Sequence, residues 1–186
     1  MNLEEYKEWI EKNGNKEEKM AYEVARKIVH YHTWYLETGD VDVECLPRFL
    51  VTTEKEKLEF DLIIRLSWES NRFYERYIGV EFKETDISRC IAQAIMRREH
   101  VDYMYIATQN VLVDSLDLLR MIDYGIGWIV WDTRFVKMLF GSKADRRNLT
   151  GFIKTYARRI IEETLEEIAK ERKVQNGLTL LDFVED

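Results

Sequence analysis

Alternation along residues 58–68 constrains the fold of this chain more than any other feature of its sequence. Every even-numbered position from Leu58 to Trp68 is apolar, and four of the five odd-numbered positions are polar. Successive side chains of a strand point to opposite faces, so this run predicts a strand with one buried face. The run Tyr77–Lys83 repeats the pattern, with an apolar face formed by Ile78, Val80 and Phe82. The two strands then place Asp61, Glu81 and Lys83 on their other face.

Helical and strand-like patterns surround these two runs in an order that predicts one mixed sheet. We predict helices over about residues 2–12, 17–35, 86–99, 114–124 and 150–173, and strands over about 41–52, 58–68, 77–83, 103–108 and 126–131. Residues 135–140 can form a hairpin with the last strand. Pro47 indicates that the first strand is irregular or lies at a sheet edge.

This order predicts an α/β fold, a mixed β-sheet flanked by helices with extra helices at both ends, because three consecutive strands precede alternating helices and strands. We expect a single domain over residues 1–186, with a core over about 17–132 and a helical extension over about 148–186.

The two cysteines and the N-terminus indicate the cellular compartment of the protein. Cys45 and Cys90 lie far apart and lack a CxxC partner, which is typical of a reduced intracellular protein without a zinc site. No apolar stretch is long enough to cross a bilayer, and the N-terminus is acidic and amphipathic, unlike a signal peptide. We therefore expect a cytoplasmic protein with no membrane partner.

The formal net charge of −7 argues against a nucleic-acid partner, but the charges are unevenly placed. Residues 143–159 contain six basic side chains and a single acid. An acidic protein can still present a local basic surface. Arg146 and Arg147 are therefore candidate nucleic-acid contacts, and a solvated helix end explains them equally well.

The grouping of Asp61, Glu81 and Lys83 has a chemical use. Two carboxylates that converge on one point repel each other unless a proton or a divalent cation lies between them. Hard oxygen ligands suit Mg²⁺ or Mn²⁺. Such an ion lowers the pKa of a bound water and neutralises charge on a phosphate oxygen, and a lysine beside it stabilises developing negative charge. The set predicts phosphodiester hydrolysis.

Glu-x-Lys by itself is a weak signal in this chain, because it occurs four times: Glu5-Lys7, Glu17-Lys19, Glu81-Lys83 and Glu171-Lys173. Three copies lie on predicted helices, where residues two apart do not face each other. Only the copy at Glu81 lies at the end of a predicted strand, where residues two apart share a face.

These residues stand in the segments EFDLII and IGVEFK, with 19 residues between Asp61 and Glu81, followed by the predicted helix ISRCIAQAIMRREH and the strand DYMYIAT. The combination resembles the PD-(D/E)XK nuclease superfamily, whose restriction-endonuclease-like core runs αβββαβ. The resemblance covers about residues 17–108. It implies that Asp61, Glu81 and the carbonyl of Phe82 bind metal and that Lys83 assists catalysis. Phe60 stands where the name motif has proline.

Accessory residues follow from the same resemblance. Many members carry a metal-binding Glu on the first core helix, and Glu23 is the candidate here, with a surface salt bridge to Lys27 as the alternative. On the helix after Lys83, the residues Arg89, Gln93 and Arg97 recur at helical spacing. Gln93 matches a polar position in some branches and is a candidate catalytic residue. The two arginines can hold a phosphate backbone or form a solvated helix edge.

Three functions are compatible with these features. The first is a hydrolase, a divalent-metal-dependent deoxyribonuclease of endonuclease type with Mg²⁺ or Mn²⁺ as cofactor and DNA as partner. The second is an inactive nuclease-fold module for nucleic-acid binding or protein interaction. The third adds a homodimer formed through the C-terminal helix, whose apolar residues could equally cover the chain's own sheet: Ile153, Ile161, Leu165 and Ile168.

Overall fold

The computed structural model describes residues 1–36, 40–52, 57–70, 73–109 and 112–144, together with Glu163. The chain divides into two compact units, Met1–Arg147 and Asn148–Asp186. All described residues except Glu163, which is helical, belong to the first unit. Arg146, Arg147 and the apolar residues of the predicted C-terminal helix lie outside the described residues.

The predicted elements that fall within the described residues are present, but the second helix begins four residues later and the third strand four residues earlier than predicted. The helices are α1 Leu3–Asn13, α2 Ala21–Thr33, α3 Ile87–Arg97 and α4 Ser115–Tyr124, and a 3₁₀ turn, Arg98–His100, follows α3. The strands are β1 Val41–Thr52, β2 Lys57–Glu69, β3 Phe73–Lys83, β4 Tyr103–Thr108, β5 Gly127–Trp131 and β6 Val136–Phe140. The predicted hairpin of β5 and β6 is confirmed.

The six strands form one mixed sheet in the order β1-β2-β3-β4-β5-β6. Strands β1 to β3 are antiparallel, β4 and β5 run parallel to β3, and β6 is antiparallel to β5. Strand β1 lies at the edge, as Pro47 predicts, and it is also irregular, because Arg48 has a φ of 48° and the pairing passes from Pro47 directly to Phe49.

Helices cover both faces of the sheet. On one face, α1 and α2 contribute to a core built with even-numbered residues of β2 and β3; its central members are Tyr6, Val24, Ile28, Leu62, Ile64, Ile78 and Val80. Helix α3 packs against β3 and β4, and its buried residues are not part of that core. Burial of apolar surface on both faces stabilises the sheet. Within the described part of the chain, none of the helices combines the length and the apolar character needed to cross a membrane.

Strand β2 changes phase at Asp61. Leu62 and Ile64 face the core, but the Phe60 ring lies on the opposite face, where a Cβ added to Gly79 would be 3.0 Å from its Cε1 atom. This differs from the predicted alternation, which put Phe60 on the same face as Leu62. The pairing of β2 with β3 also ends at Leu62 and Val80. The two strands therefore separate at Asp61, which ends the regular alternation there.

A buried histidine makes the stability of this core depend on pH. His32 on α2 is 3% exposed, and its Nε2 lies 2.9 Å from the hydroxyl of Tyr105. Burial and the nearby charge of Arg76 lower the pKa of His32 from 6.5 to about 4. Between these values the unfolded chain binds more protons than the folded one, so the His32 contribution disfavours folding increasingly as pH falls from 6.5 to 4.

We expect His32→Gln to remove this part of the pH dependence. The free energy of unfolding of the wild type, measured relative to the variant with urea, should be about 2 kcal/mol lower at pH 4.5 than at pH 7. A difference between the two proteins that does not change with pH would contradict the buried neutral state of His32.

Candidate functional site

Asp61 lies where β2 separates from β3, and its side chain makes a hydrogen bond to β3 where the backbone pairing of the two strands has ended. Its Oδ2 accepts a hydrogen bond of 2.7 Å from the backbone N–H of Phe82. Burial raises the pKa of Asp61, while the Phe82 hydrogen bond and the charge of Lys83 act in the opposite direction. One carboxylate oxygen of Asp61 is therefore used to hold β3 in place, directly beside Glu81 in the sequence of β3.

Glu81 is a buried carboxylate, only 2% exposed. Its Oε1 lies 3.1 Å from Nε of Arg97, but that N–H is donated to the carbonyl of Glu59 at 2.7 Å. Within the described residues, Glu81 Oε1 consequently receives no hydrogen bond. Burial and the charge of Asp61 raise the pKa of Glu81 to about 9. A buried oxygen in this position calls for a proton or a cation.

Lys83 is held by an acidic residue that precedes α2. Its Nζ lies 2.8 Å from Oε2 of Glu17. Burial lowers the pKa of Lys83, but the hydrogen bond to Glu17 and the charges of Glu17 and Asp61 outweigh it and raise the pKa. Lys83 is therefore a cation at neutral pH, fixed at the end of β3.

The predicted start of α2 at Glu17 is wrong, and this difference brings two acids to the site. The side chain of Asn15 accepts hydrogen bonds from the N–H groups of Glu17 and Glu18, which form a turn, so the helix begins only at Ala21. Side chains of asparagine compete with helical hydrogen bonds in this way. Glu18 is buried, accepts from Arg48 at 2.9 Å, and its charge acts on Asp61.

Glu23 lies elsewhere. Its carboxylate is 3.1 Å from Arg26, not paired with Lys27 as the alternative interpretation predicted, and its side chain is 38% exposed. It lines a surface groove together with residues that follow β5. In the described residues no hydrogen bond or salt bridge joins Glu23 to Asp61, Glu81 or Lys83. The acids that the structure does bring to these residues are Glu17, which contacts Lys83, and Glu18, whose charge acts on Asp61.

The three polar residues of α3 have different surroundings. Arg97 is in contact with Glu81 and with the carbonyl of Glu59, so it is held at the site and not free in solvent. Arg89 is exposed on the first turn, where its backbone N–H donates to the capping residue Asp86. Gln93 is half-buried one helical turn from each arginine. Only Arg97 of this set contacts a predicted metal ligand.

The residues present offer a small set of oxygen ligands. In the described ranges no three His, Cys, Asp or Glu side chains form a group that could hold a metal ion. Asp61 and Glu81 supply two carboxylates, and the carbonyl of Phe82, the residue directly after Glu81, can supply a third oxygen. Two carboxylates with a carbonyl and water suit Mg²⁺ or Mn²⁺ rather than Zn²⁺. The buried Glu81 oxygen without a donor fits such an ion.

Comparisons with known proteins give the fold and nothing about activity. No family model matches the sequence, and no curated protein matches it. A solved structure, a protein of unknown function from Silicibacter pomeroyi, is similar with a TM-score of 0.50 at 12% identity, over 87% of this chain and 92% of that one. This similarity supports a mixed α/β fold with a six-stranded sheet flanked by helices.

Glu81→Gln should stabilise the protein in the absence of divalent ions. The folded state keeps the Glu81 proton up to about pH 9, and the ordinary pKa of the side chain is 4.5. The wild type therefore loses stability as pH rises from 4.5 to 9, whereas the glutamine variant does not. We expect a gain on the order of 2–3 kcal/mol at pH 7 in urea unfolding with EDTA, increasing toward pH 9.

Glu69→Gln, on the exposed end of β2, is the matched control and should leave the free energy of unfolding nearly unchanged. Destabilisation by Glu81→Gln at pH 7 and above would show that Glu81 is a stabilising ion-pair partner of Arg97 instead of a buried carboxyl group that destabilises the fold.

Proposed function

We propose that this protein is a divalent-metal-dependent nuclease of the PD-(D/E)XK type that hydrolyses phosphodiester bonds in DNA. The observation that supports this proposal is the meeting of Asp61, Glu81 and Lys83 at the point where β2 and β3 separate. Two acids and a cation on neighbouring strands are the residues that this chemistry requires.

The order and directions of the elements agree with the proposal. Helix α2 precedes three antiparallel strands, and α3 then connects β3 to the parallel strand β4. This is the αβββαβ order of the restriction-endonuclease-like core. Strands β5 and β6 extend the sheet beyond it.

In the proposed mechanism Asp61, Glu81 and the carbonyl of Phe82 would hold the ion. A bound Mg²⁺ or Mn²⁺ supplies a Lewis acid for the phosphate oxygen and a water of lowered pKa. Lys83, kept charged by Glu17, orients the attacking water or stabilises negative charge on the phosphate. Asp61 also fixes the Phe82 backbone, so the end of β3, which carries Glu81, Phe82 and Lys83, is preorganised.

A second function, an inactive module that keeps this fold, is favoured by one observation. Arg97 lies against Glu81 and Glu17 lies against Lys83, so both side chains have an oppositely charged neighbour without a metal ion. In an active enzyme the Arg97 guanidinium would have to leave Glu81 when the ion binds. In an inactive module it would stay.

Cleavage tests the first function directly. With Mg²⁺ or Mn²⁺ the wild type should cut DNA, and Lys83→Ala or Asp61→Asn should reduce the rate at least about 100-fold, because each removes a group that acts on the developing charge. Lys7→Ala is the matched control, since Lys7 belongs to another Glu-x-Lys copy and lies on α1. Equal cutting by Lys83→Ala and Lys7→Ala would reject the assigned site.

Calorimetry with Mn²⁺ separates the two functions. A nuclease should bind the ion, and Glu81→Ala should lose that binding because one of its two carboxylate ligands is removed. Absence of binding in a folded wild-type protein, with no cutting, would support the inactive module.

A further inference from the structure

A groove runs along the exposed side of α2 and ends beside β6. It consists of two adjoining depressions of about 760 Å³ and about 400 Å³, between residues 20–34 on one side and residues 133–141 on the other. Lys27 and His30 line both, so the two depressions are continuous. We call this feature the α2–β6 groove.

The groove carries positive charge on a protein whose formal net charge is −7. Arg26 is paired with Glu23, which leaves Lys27 and Arg134 as exposed cations with no carboxylate partner in the described part of the chain. A local excess of cations on an acidic protein attracts an anion to that place and not to the surface in general. The groove therefore fits an anionic ligand.

Three large aromatic side chains stand in the same groove. Tyr31, Trp34 and Phe135 are 42%, 68% and 49% exposed, and all three line it. Lys27, Tyr31 and Trp34 are separated by four and three residues, so they follow one face of α2. Clustered exposed aromatics of this kind mark an interaction site.

The Tyr31 ring is fixed against β6. A Cβ added to Gly141 would lie 2.6 Å from Cζ of Tyr31, so the ring packs directly on the glycine backbone. The missing side chain at Gly141 lets the ring take this position. The aromatic side of the groove is thus partly preorganised.

We propose that the α2–β6 groove binds a single strand of nucleic acid, with its phosphates on Lys27 and Arg134 and its bases on Tyr31, Trp34 and Phe135. Cations that follow a backbone, together with aromatic rings on which bases stack, are the physical basis of single-strand binding. A duplex is a poorer fit, because its bases already stack on each other and present no free faces to the rings. An acidic peptide would use the cations but leave the aromatic rings without stacking partners.

The groove begins close to the candidate site. It begins at Met20, three residues after Glu17, whose carboxylate contacts Lys83. From Met20 to Trp34 the helix axis spans about 21 Å, enough for several nucleotides of a single strand. A strand lying in the groove would lead toward Lys83. The inference rests on the proposed nuclease function only where it names single strands as the substrate class of that nuclease.

Fluorescence anisotropy of the whole protein with a labelled oligothymidylate of about 12 nucleotides tests the proposal, in EDTA so that no cutting occurs. We expect Lys27→Glu and Trp34→Ala each to weaken binding about ten-fold, and Lys27→Glu to reduce the salt slope by about 0.7. A duplex of the same length should bind the wild type at least about ten-fold more weakly than the single strand.

The controls are Lys12→Glu, an exposed cation on α1, and Phe73→Ala, an exposed aromatic at the start of β3. Both should bind like the wild type. Equal affinity of groove and control variants, tighter binding of the duplex, or displacement of the oligonucleotide by polyglutamate at equal charge would each overturn the proposal.

The outcome for the groove can be told apart from that for the nuclease. Binding is measured in EDTA and cutting is measured with Mg²⁺ or Mn²⁺, so each result is obtained independently of the other. Loss of binding in the groove variants with a wild type that never cuts would support the groove and reject the nuclease. Metal-dependent cutting with unchanged binding in the groove variants would support the nuclease and reject the groove.

Discussion

The hydrogen bond from the Phe82 N–H to Asp61 Oδ2 joins two strands at the point where their backbone pairing has ended. Beyond Leu62 the backbone pairing of β2 with β3 has ended, so this hydrogen bond helps to hold the end of β3 that carries Glu81 and Lys83, which pairs with β4 on its other side. Asp61 accepts this hydrogen bond with one carboxylate oxygen. The Asp61 carboxylate is therefore fixed to the backbone of β3, directly beside Glu81. The geometry of the candidate site depends on this contact and on the hydrogen bond between the Asp61 backbone and the Glu81 carboxylate.

Glu81 illustrates why such a site costs stability. A carboxylate 2% exposed, beside another acid, is favourable only when a proton or a cation compensates its charge. Arg97 lies close enough to compensate part of it, yet donates its Nε–H to the Glu59 carbonyl. Burial of this kind is typical of residues retained for function at the expense of stability. The His32 and Tyr105 pair shows the contrasting solution, a buried group that stays neutral and bonded.

The sequence was sufficient for the strands and for Asp61, Glu81 and Lys83, because period-two alternation and turn residues are local signals. It failed where local patterns end. Phe60 leaves the alternation because β2 separates from β3, which is a property of two strands together. Glu17 and Arg97 reach the site through contacts with Lys83 and Glu81 that span 66 and 16 residues, and helical periodicity carries no information at that distance. The Asn15 turn was the signal that could have placed Glu17, since a Gly-Asn pair before the helix favours a turn.

A crystal structure of the protein soaked in Mn²⁺ tests the central claim most directly, because manganese is located by its anomalous scattering independently of the refined side chains. We expect a peak between the carboxylates of Asp61 and Glu81, next to the Phe82 carbonyl, with the Arg97 guanidinium moved away from Glu81. No peak at this position, with Arg97 still in contact with Glu81 at a saturating concentration of the ion, would contradict the claim that these residues form a metal site.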